Sequence, residues 1–163
     1  MQNADPPSAV LCVQRVVEKD FPFDQAILLE ECACYDADVL RQYYNGSAVF
    51  LVATAVRSEM GFVGVLISDV DHDEPGEVYG ALKDLAVSCA EDFQDSIREA
   101  LIRRWQEECR RELWDGLRVS VFPMQEADRA SFLKEKFYSV GTCPCCEAEM
   151  LEWQPEEKPS HAL

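Results

Sequence analysis

The chain has 163 residues, with 31 Asp plus Glu against 15 Lys plus Arg, a formal net charge of −16. Hydrophobic residues still make up 48%, which argues against a disordered acidic chain, because such chains lack the apolar surface for a core. The charge argues against a binder of nucleic-acid backbones, which needs a basic face, and against an anionic membrane surface; it permits a basic partner.

One domain is the natural reading at this length. Met1 to Ser8 is polar with two prolines and reads as a loose terminus without a secretory leader. Ala9 to Val17 is short and Val-rich, a strand. Asp24 reads as an N-cap for a helix carrying Ile27, Leu28, Cys32 and Tyr35, and Asp36 for a second with Val39, Leu40, Tyr43 and Tyr44 on one face. Asn45-Gly46 stops it. Ser47–Arg57 and Gly61–Val70 are apolar on both alternating faces, two sheet-centre strands joined as a hairpin. The longest apolar run, Ala48 to Val56, is far short of the roughly 20 residues that span a bilayer. These features together read as a cytoplasmic chain.

Val78, Ala81, Leu82, Leu85, Ala86 and Cys89 fall at helical spacing, continued in steps of four by Phe93, Ile97, Leu101, Trp105, Cys109 and Leu113. The pattern predicts a long helix, bent or broken near Ala90 to Asp92, and ended by Asp115-Gly116. Leu117 to Phe122 alternates as a half-buried antiparallel strand, and Glu126 to Tyr138 reads as a final helix. The expected class is α+β: a mostly antiparallel sheet of about four strands packed by four or five helices, one of them long. Residues 1–153 form one domain with a cysteine-containing loop at 141–146, and 154–163 form a disordered acidic tail.

There are eight cysteines. Cys12, Cys32, Cys34, Cys89 and Cys109 sit in apolar-periodic segments and read as small buried hydrophobes. Cys143 and Cys146 form Cys-x-x-Cys, whose turn can aim two thiolates at one tetrahedral zinc. The motif resembles one knuckle of a zinc ribbon. With the second knuckle missing, further ligands would come from Cys32, Cys34, His161, His72 or a second subunit; free thiols or reversible disulfides are the alternative. Cys143-Pro144-Cys145-Cys146 also resembles the Cys-Pro-x-Cys site of glutaredoxin-like proteins, but it follows the last helix instead of opening one after a first strand. The expected cofactor is therefore none, or one structural zinc.

Asp69, Asp71, Asp73 and Glu77 resemble the start of an EF-hand loop. That motif fails, because the sixth position is Glu74 where Gly is required and the twelfth is Gly80 where Glu is required. His72 could act as a general base, but no nucleophile stands near it in sequence. There is no phosphate-binding Gly loop and no nucleophile elbow.

Charge distribution carries more. Gly61 to Asp95 holds nine acids (Asp69, Asp71, Asp73, Glu74, Glu77, Asp84, Glu91, Asp92, Asp95) against Lys83, a local net of −8, whereas Ser96 to Arg118 is close to neutral. These nine acids are the expected partner-binding surface. The leading reading is an acidic inhibitor or regulator that docks on a basic, nucleic-acid-binding protein by phosphate mimicry, of anti-restriction, anti-CRISPR or immunity-protein type. That reading involves no direct nucleic acid and no membrane, and leaves a homodimer open. The alternatives are a cytosolic zinc-stabilised structural domain without activity, and an enzyme with a pocket invisible in sequence.

Overall fold

Seven strands pair into one mixed sheet in the computed structural model of the protein, which describes residues 11–17, 28–29, 34–35, 37–55, 62–72, 76–88 and 93–156. The described elements in chain order are β1 (Leu11–Arg15), β2 (Leu28–Leu29), β3 (Cys34–Tyr35), α1 (Ala37–Asn45), β4 (Val49–Ala55), β5 (Phe62–Asp71), β6 (Tyr79–Val87), α2 (Gln94–Arg111), β7 (Gly116–Val121), α3 (Glu126–Lys134), β8 (Tyr138–Thr142) and β9 (Glu149–Trp153). The sheet order is β1-β4-β5-β6-β7-β9-β8, and β2 pairs with β3 separately. Every neighbouring pair is antiparallel except β6 and β7. A parallel pair needs a long crossover, which α2 supplies.

The doubly apolar strands occupy the sheet centre because each face is covered. Val49, Leu51 and Ala53 of β4 point into the core formed with Ile97, Leu101, Trp105 and Cys109 of α2. Phe50 and Val52 point the other way, into a second cluster with Leu40 of α1, Val65, Ile67 and Ala86. Helix α2 lies so close to β5 that a Cβ on Gly64 would stand 2.7 Å from Cγ2 of Ile97. Only glycine permits that approach.

The expected class needs correction. Seven strands and three helices replace the expected four strands and four or five helices, among the described residues. The first half of the expected long helix is a strand. β6 carries a bulge at Lys83: Ile67 pairs with Asp84 and Ser68 with Leu82, leaving Lys83 unopposed. A bulge inverts the inside–outside alternation, and the strand then ends buried on both faces at Leu85, Ala86 and Val87. Together these two departures from simple alternation imitate helical spacing. The step-of-four row holds only from Ile97 to Cys109. Leu113 lies past the helix in a left-handed conformation (φ 59°) and is 61% exposed.

The segment expected as a helix after Asp24 contains the two short paired strands β2 and β3 where it is described. β8 and β9 went unread. β8 is exposed along its whole length, so it has no alternation to detect, and β9 shows only Leu151 and Trp153 inside. β7, expected to be antiparallel, is parallel to β6 and antiparallel to β9.

Candidate functional site

Strands β6 and β7 stay together for only three residue pairs, Tyr79 with Gly116, Gly80 with Leu117 and Ala81 with Arg118. Beyond that point β7 pairs with β9 alone, and β6 keeps only β5 as a neighbour. The separation begins next to the bulge at Lys83, as expected of a feature that bends a strand away from its partner. The result is a split in the sheet at the carboxyl ends of its one parallel pair, where ligand crevices form in sheets of this kind.

The split releases backbone donors. Ser88 N–H donates to Val63 O of β5 at 2.8 Å. By two-residue alternation the N–H groups of Leu85 and Val87 therefore point away from β5, into the split. The Leu85 N–H already takes an anionic acceptor there, Oδ1 of Asp84 at 3.0 Å. Side chains of Leu85, Val87, Val119 and Val121 are buried in the adjoining core, so the donors stand against an apolar floor.

Helix α2 follows β6 and α3 follows β7, and the two helices are clipped together across the split. Arg98 of α2 donates from Nε to Oδ1 of Asp128 of α3 and from Nη1 to Oδ1 of Asp95, both at 2.9 Å, with the Arg98 side chain only 13% exposed. Further along, Lys134 meets Glu99 at 3.2 Å, Arg103 meets Glu135 at 3.1 Å, and Gln106 donates to the Glu135 carbonyl at 2.8 Å. Burial pushes the Asp128 carboxyl above its ordinary range; Arg98 offsets part of this and the charge of Asp84 adds to it.

The closed end of the pair is fastened differently. Val78 N–H donates to Oδ2 of Asp115, and Asp115 N–H to the Val78 carbonyl, at 2.8 and 2.7 Å. The Arg118 guanidinium lies 3.6 Å over the Tyr79 ring and 3.5 Å from Glu152. Burial, with the charges of Glu77 and Glu152, pushes the Tyr79 hydroxyl up to about 12. A groove of about 410 Å3 between α3 and the β8–β9 hairpin lies on the β9 side of β7 and is separate from the split.

The five described acids of the nine fall in two groups. Asp69, Asp71 and Glu77 gather at the β5–β6 turn, while Asp84 and Asp95 lie past the bulge near the split. Asp73, Glu74, Glu91 and Asp92 lie outside the described residues, as do Cys32 and His161. His72 is exposed just past β5. The metal expectation also needs correction: among the described residues no group of three or more His, Cys, Asp or Glu could hold a metal ion. Cys143 and Cys146 sit at the tip of the β8–β9 hairpin, closed by Cys143 N–H to the Ala148 carbonyl at 2.8 Å. Cys34 lies on β3, of which only the backbone is described. The groups of this candidate site that the sequence did not show are the backbone of Leu85 and Val87, and Arg98 with Asp128. A bulge and a strand divergence leave no pattern that periodicity can find.

No family model and no curated sequence matches the chain. Solved structures do. A chain of the NatC complex bound to Gag peptide and CoA is similar with TM-score 0.61 at 14% identity, over 88% of this chain and 96% of that one. The Escherichia coli ribosomal-protein-S18-alanine N-acetyltransferase gives TM-score 0.59 at 12% identity, over 94% and 98%. A GNAT family acetyltransferase from Elizabethkingia anophelis with acetyl-CoA bound gives 0.61 at 13%, over 89% and 98%. The fold is a GNAT acetyltransferase fold.

That fold replaces two expectations, the phosphate-mimicking inhibitor and the zinc-stabilised domain; of the sequence readings, the enzyme fits it better. The expected cofactor, none or one structural zinc, also needs correction: no metal-holding group occurs among the described residues, and two of these neighbours are bound to CoA or acetyl-CoA. The residues at the split fit such a molecule in part. The apolar floor and the released N–H groups suit a thioester and the amides of a pantetheine arm. The start of α2 does not suit a diphosphate. No basic residue occurs between Lys83 and Arg98, while Asp84, Glu91, Asp92 and Asp95 do, and Arg98 is held by two carboxylates. A helix N-terminus attracts an anion by about 0.3–1 kcal/mol. Asp95, in the first turn of α2, opposes that attraction for an anionic ligand. No helix among the described residues is long and apolar enough to cross a membrane.

Proposed function

We propose that the protein is an acyltransferase that holds an acyl thioester in the split between β6 and β7 and passes the acyl group to a neutral amine: the amide C–N bond forms, the C–S bond breaks, and the thiol leaves with the proton that the amine gives up. The observation that carries this reading is the parallel pair β6–β7, parted at the Lys83 bulge, which turns the backbone N–H of Val87 into the split beside a Leu85 N–H held by Asp84. Such preorganised donors stabilise the oxygen of an acyl carbonyl as it gains charge, and removing one from an oxyanion site costs about 100- to 1000-fold in rate. Fold likeness to acetyltransferases supports the reaction class. The surrounding carboxylates, Asp84, Asp95 and Asp128, favour an acceptor that arrives as a cation.

The test is product mass after incubation with a short acyl thioester and either spermidine or a peptide with a free N-terminus. Acylated amine above the protein-free rate is the expected result. Val87→Pro removes the N–H that β6 turns into the split and that makes no ladder bond, and is expected to abolish turnover while circular dichroism stays unchanged; Val87→Ile keeps the donor and turnover. Full activity in a folded Val87→Pro protein would place the chemistry elsewhere.

A further inference from the structure

Resting on that reading of the split, we infer that the protein recognises its donor through the acyl-pantetheine arm and takes nothing from a nucleotide diphosphate. Three observations lead there. Helix α2 starts without a side-chain cap among the described residues: Phe93 at its N-cap gives its first N–H groups no side-chain acceptor. The side chains nevertheless carry the wrong sign: Asp95 stands in the first turn, 75% exposed, and the connection from β6 adds Glu91 and Asp92 in sequence with no cation. The first basic residue of α2, Arg98, faces Asp95 and Asp128 and is neutralised by them. The positive end of the helix dipole is therefore already answered by the helix's own acid. Lys83, the one cation beside the split on β6, donates from Nζ to the Gly46 carbonyl at 3.2 Å.

The opposite holds for the arm. Amide and thioester carbonyls are neutral acceptors, and the Val87 N–H turned into the split is a neutral donor against a buried apolar wall. Neutral recognition is insensitive to salt, whereas recognition of a polyanion by an acid-rich rim improves as salt screens the repulsion.

The experiment is calorimetric titration of the full chain with S-acetylpantetheine and with acetyl-CoA, at low and high ionic strength. The two affinities are expected to agree within about threefold at high salt, and acetyl-CoA is expected to bind more weakly at low salt than at high salt. Asp95→Lys is expected to strengthen acetyl-CoA about fivefold or more while leaving S-acetylpantetheine unchanged; Asp95→Asn gives a smaller shift of the same sign. Acetyl-CoA binding tenfold tighter than S-acetylpantetheine, and weakening with salt, would overturn the inference while leaving the acyltransferase reading intact. Failure of both thioesters to bind would remove the reading of the split, and this inference with it.

Discussion

The two ends of α2 use the same chemistry to opposite effect. Near its C-terminus, Glu108 is 2% exposed and its carboxylate accepts from Arg15 at 2.9 Å, Arg104 at 3.0 Å and Arg111 at 2.9 Å. Arg104 also donates to the Val13 carbonyl, so this knot ties edge strand β1 to the helix. Near its N-terminus, Asp95 is 75% exposed and shares one arginine with Asp128. A buried carboxylate with several guanidinium donors is held by the fold, and losing one partner leaves an uncompensated charge. An exposed pair is screened by water and counts for little. Acidity in this chain is therefore two things: internal fastening at one end of α2, and a field around the split at the other.

The strongest way to break the contrast is Glu108→Ala. It leaves three arginines around an apolar hole and is expected to cost about 3–5 kcal/mol, read by thermal unfolding as a midpoint drop of roughly 6–20 °C. Asp95→Ala is expected to cost under about 1 kcal/mol. Equal losses in the two variants would show that burial does not separate these carboxylates. Cys109, the next residue along α2, reports the same end independently. Burial pushes its thiol up to about 12, so it should resist alkylation in the folded protein and become labelled in Glu108→Ala as the helix end opens. Cys143 is the opposite case: N–H groups of Cys146 and Cys145 point at its sulfur and lower its pKa, so mass spectrometry should find it alkylated first in both proteins.

Much of this contrast was beyond sequence reading. The core row Ile97, Leu101, Trp105 and Cys109 was legible because a one-sided helix writes its burial in steps of three and four. The central strands were legible because both their faces are covered. β6 was misread as a helix because its bulge and its doubly buried end broke the alternation. The split itself depends on which strands become neighbours after a crossover, and its donors are backbone N–H groups that any residue would supply. The acids were legible as charges but not as places: the sequence ran Asp69 to Asp95 together, and β6 holds its two groups apart.

Acid titration should separate the two ends by sign. Burial opposes charge on Glu108, but hydrogen bonds from Arg104 and Arg15 outweigh it and leave the carboxyl below its ordinary value. A depressed carboxyl contributes stability in full above its unfolded pKa and loses it as pH falls through the folded value. Asp128 runs the other way: its raised carboxyl is a penalty above its folded pKa, relieved as pH falls toward the unfolded value. Glu108→Gln should therefore flatten the loss of stability below about pH 5, and Asp128→Asn should steepen it slightly, both measured by urea unfolding across pH. The same slope change in both variants would contradict the assignment of opposite shifts.

The smallest effect is expected at Asp95 itself, and it is the most informative about the split. Asp95→Asn removes a charge that favours the positive end of the helix, worth about 0.3–1 kcal/mol at low salt, and removes half of the acid pair around Arg98. Arg98 keeps its bond to Asp128, so the clip between α2 and α3 survives and unfolding should change by no more than that amount, with the difference vanishing near 1 M salt. Arg98 is then less neutralised, and the field at the start of α2 shifts toward positive. Stability and anion affinity should move in opposite directions in one variant: slightly less stable, yet better at holding a diphosphate. A variant that lost both would mean that Asp95 orders the start of the helix and that the charge at the split is secondary.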